Sequence, residues 1–271
     1  MLNARRVREH LLCLVLAAWV PASALAQPKP NRTDVGGDAP TAILWVGNSF
    51  FYYNNSLHNH VLNLVRAADP KATPRATSVT ISGSGIDWHD MASYFRPNGI
   101  GSYSFVGDNE IVFNKPGRQF DAVVIADCSQ CPIHPQLKSV FHQFAKLQSE
   151  IVAANGARPI FFMTWAYKDK PEMAAQLAEQ YTIAGNANDA LVIPAGLAFA
   201  KAIAKRPDLE FYQPDKRHPT LIGTYLAACT AYAAVYGKSP LGNDYTAGID
   251  PDTARFLQQT AQETVKEYFA N

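Results

Sequence analysis

Ala42-Ile43-Leu44-Trp45-Val46-Gly47-Asn48-Ser49-Phe50 is the stretch on which the reading of this chain turns. Residues 42–46 form an unbroken apolar run, the pattern of a strand buried on both faces. The run passes straight into Gly47-Asn48-Ser49, so a hydroxyl stands at the exit of that strand. Far downstream, Asp215-Lys216-Arg217-His218-Pro219 supplies a carboxylate and an imidazole three residues apart. A serine hydroxyl attacks poorly until an adjacent base takes its proton, and that base needs a third group to orient it. Ser49, His218 and Asp215 are therefore the candidate nucleophile, base and orienting acid.

Outward from this strand, the chain alternates between two periods. Residues 78–81, 122–126, 159–164 and 190–193 read as further short or buried strands. Helical spacing runs over 57–68, 137–154, 171–184, 197–205, 220–236 and 252–269. Strands separated by helices of this length imply βαβ units, and hence an α/β domain whose parallel sheet is covered on both faces. Residues 88–118 break the rhythm, with Trp88, Tyr94, Phe95, Tyr103, Phe105 and Phe113 interleaved with Gly and Asn. They read as an irregular insertion, with a hairpin near 104–113, that either overhangs the site or packs on the domain as a satellite cluster.

The N-terminus reads as an export signal. Arg5, Arg6 and Arg8 precede an apolar run over 11–20, too short to span a bilayer as a helix. Pro21 breaks the run, and Ala24-Leu25-Ala26 offers a small-x-small cleavage site before Gln27. The domain plan is a signal peptide at 1–26, a flexible leader rich in Pro, Gly, Asn and Asp at 27–40, and a single domain at 41–271. Such a protein is secreted or periplasmic, with no membrane span in its mature form. Removing three arginines and one glutamate with the signal takes the formal net charge from +1 to −1. That balance argues against a nucleic-acid or anionic-membrane surface. Oligomeric state is not legible.

Ligands of open parallel sheets bind beyond the carboxyl ends of the strands. Three turns leave such ends with polar groups: the one carrying Ser49, Ser82-Gly83-Ser84-Gly85, and Cys128-Ser129-Gln130. A glycine lets a backbone N–H approach a substrate oxygen with no Cβ in the way. A backbone N–H and a side-chain amide together can make an oxyanion hole.

With these segments in this order, the chain resembles the SGNH, or GDSL-like, hydrolases. Gly47-Asn48-Ser49-Phe50 corresponds to their first block and Ser84-Gly85 to the second. Cys128-Ser129-Gln130-Cys131 falls on the third, and Asp215-x-x-His218-Pro219 on the last. Ser129-Gln130, and His218-Pro219 followed by Gly223 and Tyr225, resemble the branch whose first block reads Gly-Asn-Ser-Phe. The resemblance covers about residues 41–240. It implies a flavodoxin-like three-layer α/β/α sandwich with a parallel sheet of about five strands. It also implies a Ser49–His218–Asp215 triad, oxyanion donors from Ser49, Gly85 and Gln130, and no cofactor or metal. Two positions depart from the family pattern: Gln130 stands where the block has Asn, and Cys128 where it has Gly. Asn48 replaces the usual Asp and is expected to organise the turn on the substrate side. Trp165, after the 159–164 strand, either lines the pocket for substrate or packs on the next helix, as does Tyr167. The implied activity is that of an exported serine esterase acting on O-acyl, chiefly acetyl, groups of carbohydrate. The alternatives are a lipase- or thioesterase-like hydrolase of longer acyl chains and a non-catalytic glycan-binding domain.

Cysteine arithmetic stays open. Cys128, Cys131 and Cys229 remain after the signal, so one disulfide and one free thiol is the simplest outcome in an oxidising compartment. Cys128-x-x-Cys131-x-x-His134 could instead serve a metal, but no fourth ligand lies near in sequence. His58 and His60 point to different faces of one helix, which argues against a shared ion.

Overall fold

The computed structural model describes residues 27–97, 99–106, 110–114 and 118–270. The export segment read at 1–26 lies outside these described residues.

The strands β1 (Ala42–Gly47), β2 (Arg75–Thr80), β5 (Ala122–Ile125), β6 (Arg158–Phe162) and β7 (Leu191–Ile193) form one sheet in the order β2-β1-β5-β6-β7. Every pairing in it is parallel. The helices α1 (Ser49–Tyr52), α2 (Leu57–Ala68), α3 (Met91–Tyr94), α4 (Lys138–Ala154), α5 (Met173–Ala187), α6 (Ala195–Lys205), α7 (Leu221–Tyr236) and α8 (Pro251–Ala270) make the connections and cover the faces. This is the expected α/β/α sandwich.

Alternation along the central strands explains the two layers, since successive side chains point to opposite faces. Ile43, Trp45, Val124 and Phe162 enter one apolar cluster with residues of α2, α6, α7 and α8. Leu44, Val46, Val123, Ile125 and Phe161 enter the other, with residues of α4 and α5. Both sets are apolar, which is why β1 reads as a continuous hydrophobic run rather than an alternating one. Helix α7 is buried along nearly its whole length, from Gly223 to Val235. Its Gly, Ala, Thr and Cys side chains let α2, α6 and α8 close around it.

Two expectations change. The 27–40 stretch, expected as a flexible leader, is pinned to the domain. Arg32 grips the carboxylate of Asp189 through two hydrogen bonds of 2.7 and 2.5 Å. The Arg158 guanidinium donates to the Asp38 carbonyl at 2.8 Å, and Val35 packs against the core. The partners lie more than a hundred residues away, so local composition could not reveal them. The 88–118 insertion divides in two. Tyr94, Phe95 and Ile100 pack on the α4/α5 side of the core. The hairpin of β3 (Tyr103–Val106) and β4 (Glu110–Phe113) instead leaves Ile111 and Phe113 exposed.

Candidate active site

Ser49, Gly85 and Gln130 stand on the turns that leave β1, β2 and β5, three neighbouring strands of the sheet. One side chain ties these turns together. The Asn48 carboxamide oxygen accepts from the Phe50 N–H at 3.1 Å and so caps α1. Its nitrogen donates to the carbonyls of Ser84, at 3.0 Å, and Asp127, at 3.1 Å. Asn48 is 4% exposed. The structure thus places it inside the turn as an organiser, and its substrate-side assignment is corrected: both ends of its amide are spent on the protein.

Ser49 begins α1, and its Oγ lies 2.8 Å from His218 Nε2. The other ring nitrogen, Nδ1, makes a short hydrogen bond to Asp215 Oδ2. Asp215 Oδ1 accepts from the N–H groups of Arg217 at 2.9 Å and His218 at 3.0 Å. That ring of local bonds explains the Asp-x-x-His spacing, because the carboxylate folds back over its own loop. Burial alone would raise the Asp215 pKa. The hydrogen bonds from the His218 ring and the two backbone N–H groups outweigh it and hold the carboxyl at about 2. The three candidates are therefore in hydrogen-bond series, with an acid that is ionised at any ordinary pH.

Aromatic rings hold the imidazole in place. Tyr53 stacks on it at 4.4 Å between centroids, with planes 11° apart. Phe50 meets it edge-on at 5.7 Å. The loop carrying it is anchored from below by Trp165, whose Nε1 donates to the Arg217 carbonyl at 2.9 Å. Trp165 is stacked between Phe50, at 4.5 Å, and Phe199, at 4.3 Å, and is 0% exposed. Its assignment to substrate binding is therefore corrected: no part of the ring reaches a ligand, and it supports the histidine loop. Trp165→Phe keeps a ring in the stack but leaves a small void and an unpaired carbonyl. Unfolding in urea should show a loss of about 2 kcal/mol with an unchanged slope.

The candidate oxyanion donors are free of protein acceptors among the described residues. Among the described residues, no acceptor takes the backbone N–H of Ser49 or of Gly85. A Cβ at Gly85 would fall 2.6 Å from Oδ1 of the exposed Asp87, which can swing aside, and 3.3 Å from the buried Asp127 Oδ1, so the turn is tight on its inner side. Gln130 is exposed, and its side-chain amide has no protein partner among the described residues. Cys128 and Cys131 form a disulfide that clamps the short loop carrying Gln130, and Cys229 is the buried free thiol. Both sulfurs of the Cys-x-x-Cys pair are thereby occupied, so neither is a thiolate ligand and the metal reading of that motif falls away. Ser129 Oγ is bonded to the Tyr167 hydroxyl at 2.5 Å. The Arg217 guanidinium lies 4.8 Å over the Tyr167 ring, which links the third turn to the histidine loop.

Sequence reasoning missed Tyr53, Phe50 and Asp127. Phe50 ends the serine block and Tyr53 lies three residues beyond it, yet nothing local says that they will close on position 218. Asp127 carried a usable signal, a carboxylate directly after a buried strand run.

A serine, an imidazole and a carboxylate stand in hydrogen-bond series at the carboxyl end of a parallel sheet, the arrangement that serine-based acyl transfer requires. No family model matches the chain, and no curated protein does. Solved structures do. A DUF4886 family protein from Bacteroides uniformis aligns with a TM-score of 0.56 at 19% identity, covering 84% of this chain and 95% of the other. A protein from Slackia heliotrinireducens described as a candidate SGNH hydrolase aligns at 0.54 and 21%, covering 73% and 99%. An acetylxylan esterase from Geobacillus stearothermophilus aligns at 0.55 and 12%, covering 74% and 95%. The chain has the SGNH-hydrolase fold.

Proposed function

We propose that this protein is a serine esterase that removes O-acyl groups, chiefly acetyl, from carbohydrate. The observation that carries the reading is the continuous chain from Ser49 Oγ to His218 Nε2, and from Nδ1 to the Asp215 carboxylate. Ser49 Oγ attacks the ester carbonyl carbon while His218 takes its proton. The tetrahedral oxyanion is met by the N–H groups of Ser49 and Gly85 and by the Gln130 amide. The C–O bond to the alcohol then breaks, and His218 returns the proton to the departing oxygen. Water, deprotonated by His218, cleaves the acyl-enzyme to free acid and Ser49. No cofactor takes part.

Two features support the carbohydrate side. Trp88 and Tyr52 are exposed at 59% and 39% on the segments that follow Gly85 and Ser49. Exposed aromatic rings of this kind suit the apolar face of a sugar. Acetylxylan esterase is also among the proteins that share the fold. The sequence at 1–26 supports export, which brings such an enzyme to polymeric substrates.

The test is a p-nitrophenyl ester series from acetate to decanoate, run beside acetylated xylan with released acetate measured. Acetate is expected to be the best of the series, with kcat/KM falling at least tenfold by octanoate. A maximum at octanoate or beyond would replace this reading with a lipase- or thioesterase-like one. No turnover and no fluorophosphonate labelling would leave a glycan-binding domain.

A further inference from the structure

Asp127 is a carboxylate where the sandwich has least room for one. It sits two residues beyond the end of β5 and is 2% exposed. Its Oδ1 accepts from two backbone N–H groups, Ile86 and Cys128, each at 2.7 Å. Its Oδ2 is buried with no hydrogen-bond partner among the described residues. Ile86 is the residue after Gly85, and Cys128 opens the disulfide loop that carries Gln130. The two bonds therefore reach the two turns that supply every oxyanion donor other than Ser49 itself. The Asp127 backbone is held as well, since its carbonyl accepts from Asn48 and its N–H meets the Tyr181 hydroxyl at 3.3 Å.

We propose that Asp127 is a positioning residue for acyl transfer, its Oδ1 locking the Gly85 turn to the Gln130 loop so that their donors converge on one substrate oxygen. The inference rests on the serine-esterase reading. Asn48, from the Ser49 turn, also bridges the two through the Ser84 and Asp127 carbonyls, but among the described residues only Asp127 joins them through their backbone N–H groups. The Cys128–Cys131 bond closes the Gln130 loop on itself.

The charge on Asp127 then has a definite sign. Burial pushes its carboxyl up, against the two backbone hydrogen bonds that favour the anion, to about 7; the nearby Asp87 carboxylate adds to the rise. The other groups facing it are the Tyr181 phenol, whose own ionisation burial disfavours, and the Cys128–Cys131 disulfide, which does not titrate. The uncharged acid still offers Oδ1 to both N–H groups, so it keeps the lock. The anion keeps the lock too, but places negative charge one peptide unit from the Gly85 N–H, where the oxyanion must form. Oxyanion sites work by presenting positive dipoles to that developing charge. Turnover should therefore fall on the alkaline side as Asp127 ionises.

The experiment compares kcat and KM for p-nitrophenyl acetate from pH 5 to 9 in the wild type, Asp127→Asn and Asp127→Ala. The amide keeps an oxygen for the two N–H groups and never ionises; the methyl keeps neither. The wild type should lose about tenfold in kcat on the alkaline side, and D127N should lack that limb. D127A should lose at least tenfold in kcat at every pH with little change in KM. Thermal unfolding gives a second readout that needs no turnover. A carboxyl whose folded pKa is raised stabilises the acid side, so wild-type Tm should decline relative to D127N as pH rises from 5 to about 7 and run parallel to it above. An alkaline limb that survives in D127N, or D127N as slow as D127A throughout, overturns the proposal. A wild type that neither turns over ester nor labels at Ser49 overturns the esterase reading instead, and the Tm comparison then decides the titration of Asp127 alone.

Discussion

Ser49→Ala should abolish ester hydrolysis while leaving the fold unchanged. The hydroxyl is the only atom removed, and its one side-chain partner is His218 Nε2 at 2.8 Å. Nothing in the core depends on it, because α1 is capped by Asn48 and closed by the Phe51 N–H bonding to the Asn48 carbonyl. The effect falls on the chemistry alone. Without the hydroxyl no acyl-enzyme forms, and the remaining oxyanion donors can only assist direct attack by water. A loss in kcat on the order of 10⁴–10⁶ is expected, with KM nearly constant. A fluorophosphonate probe should label the wild type and fail on the variant, and the two should unfold at the same temperature. Labelling that persists in Ser49→Ala would mean that another nucleophile does the work. The obvious competitor, Cys229, is buried inside α7, where burial raises its thiol pKa and keeps it unreactive.

The layers and the site were legible to different depths, and for different reasons. Strand β1 could be read because burial on both faces leaves a signature that needs no partner: Ala42 to Val46 are all apolar. Helix α7 was legible for the same reason. The Asp215–His218 pairing was visible because its geometry is local, with the carboxylate accepting from its own loop. Trp165 was ambiguous because position after a strand sets neither depth nor direction. Its burial depends on Phe50 and Phe199, residues from two other connections that meet only once the sheet forms. The leader at 27–40 was misjudged on composition, since the Arg32–Asp189 pair exists only in three dimensions. The Cys128–Cys131 pairing could not be chosen from three cysteines, yet its effect on the Gln130 loop is direct. What sequence supplied was the set of candidate reacting groups. What it withheld was the packing that holds them still.

Asp215→Asn is the second large effect, and its cause lies in the tautomer. The carboxylate Oδ2 accepts the Nδ1 proton of His218, leaving Nε2 with a free lone pair toward Ser49. The asparagine oxygen has two bidders, the His218 ring and the N–H groups of Arg217 and His218 that now use Oδ1. If the oxygen stays with the backbone, the amide NH₂ faces the ring and favours a proton on Nε2, the tautomer that cannot take a proton from serine. Tyr53 and Phe50 keep the ring in place in either case, so the geometry survives while the base is lost. A fall in kcat of about 10³–10⁴ is expected, with KM within a few-fold of the wild type. Asp215→Ala should be less impaired than Asp215→Asn, because water can accept the Nδ1 proton at this half-exposed site without imposing the wrong tautomer. The acid side gives a separate check. The folded carboxyl is depressed to about 2, below the ordinary value of 3.8. Its stabilising contribution is therefore complete above that ordinary value and is lost as pH falls toward 2. Wild-type stability should drop more steeply than that of Asp215→Asn across that acid window, and the two curves should run parallel above it. A variant that retains a tenth or more of wild-type kcat would show that His218 finds its tautomer without this carboxylate, leaving Ser49 and His218 as a working pair.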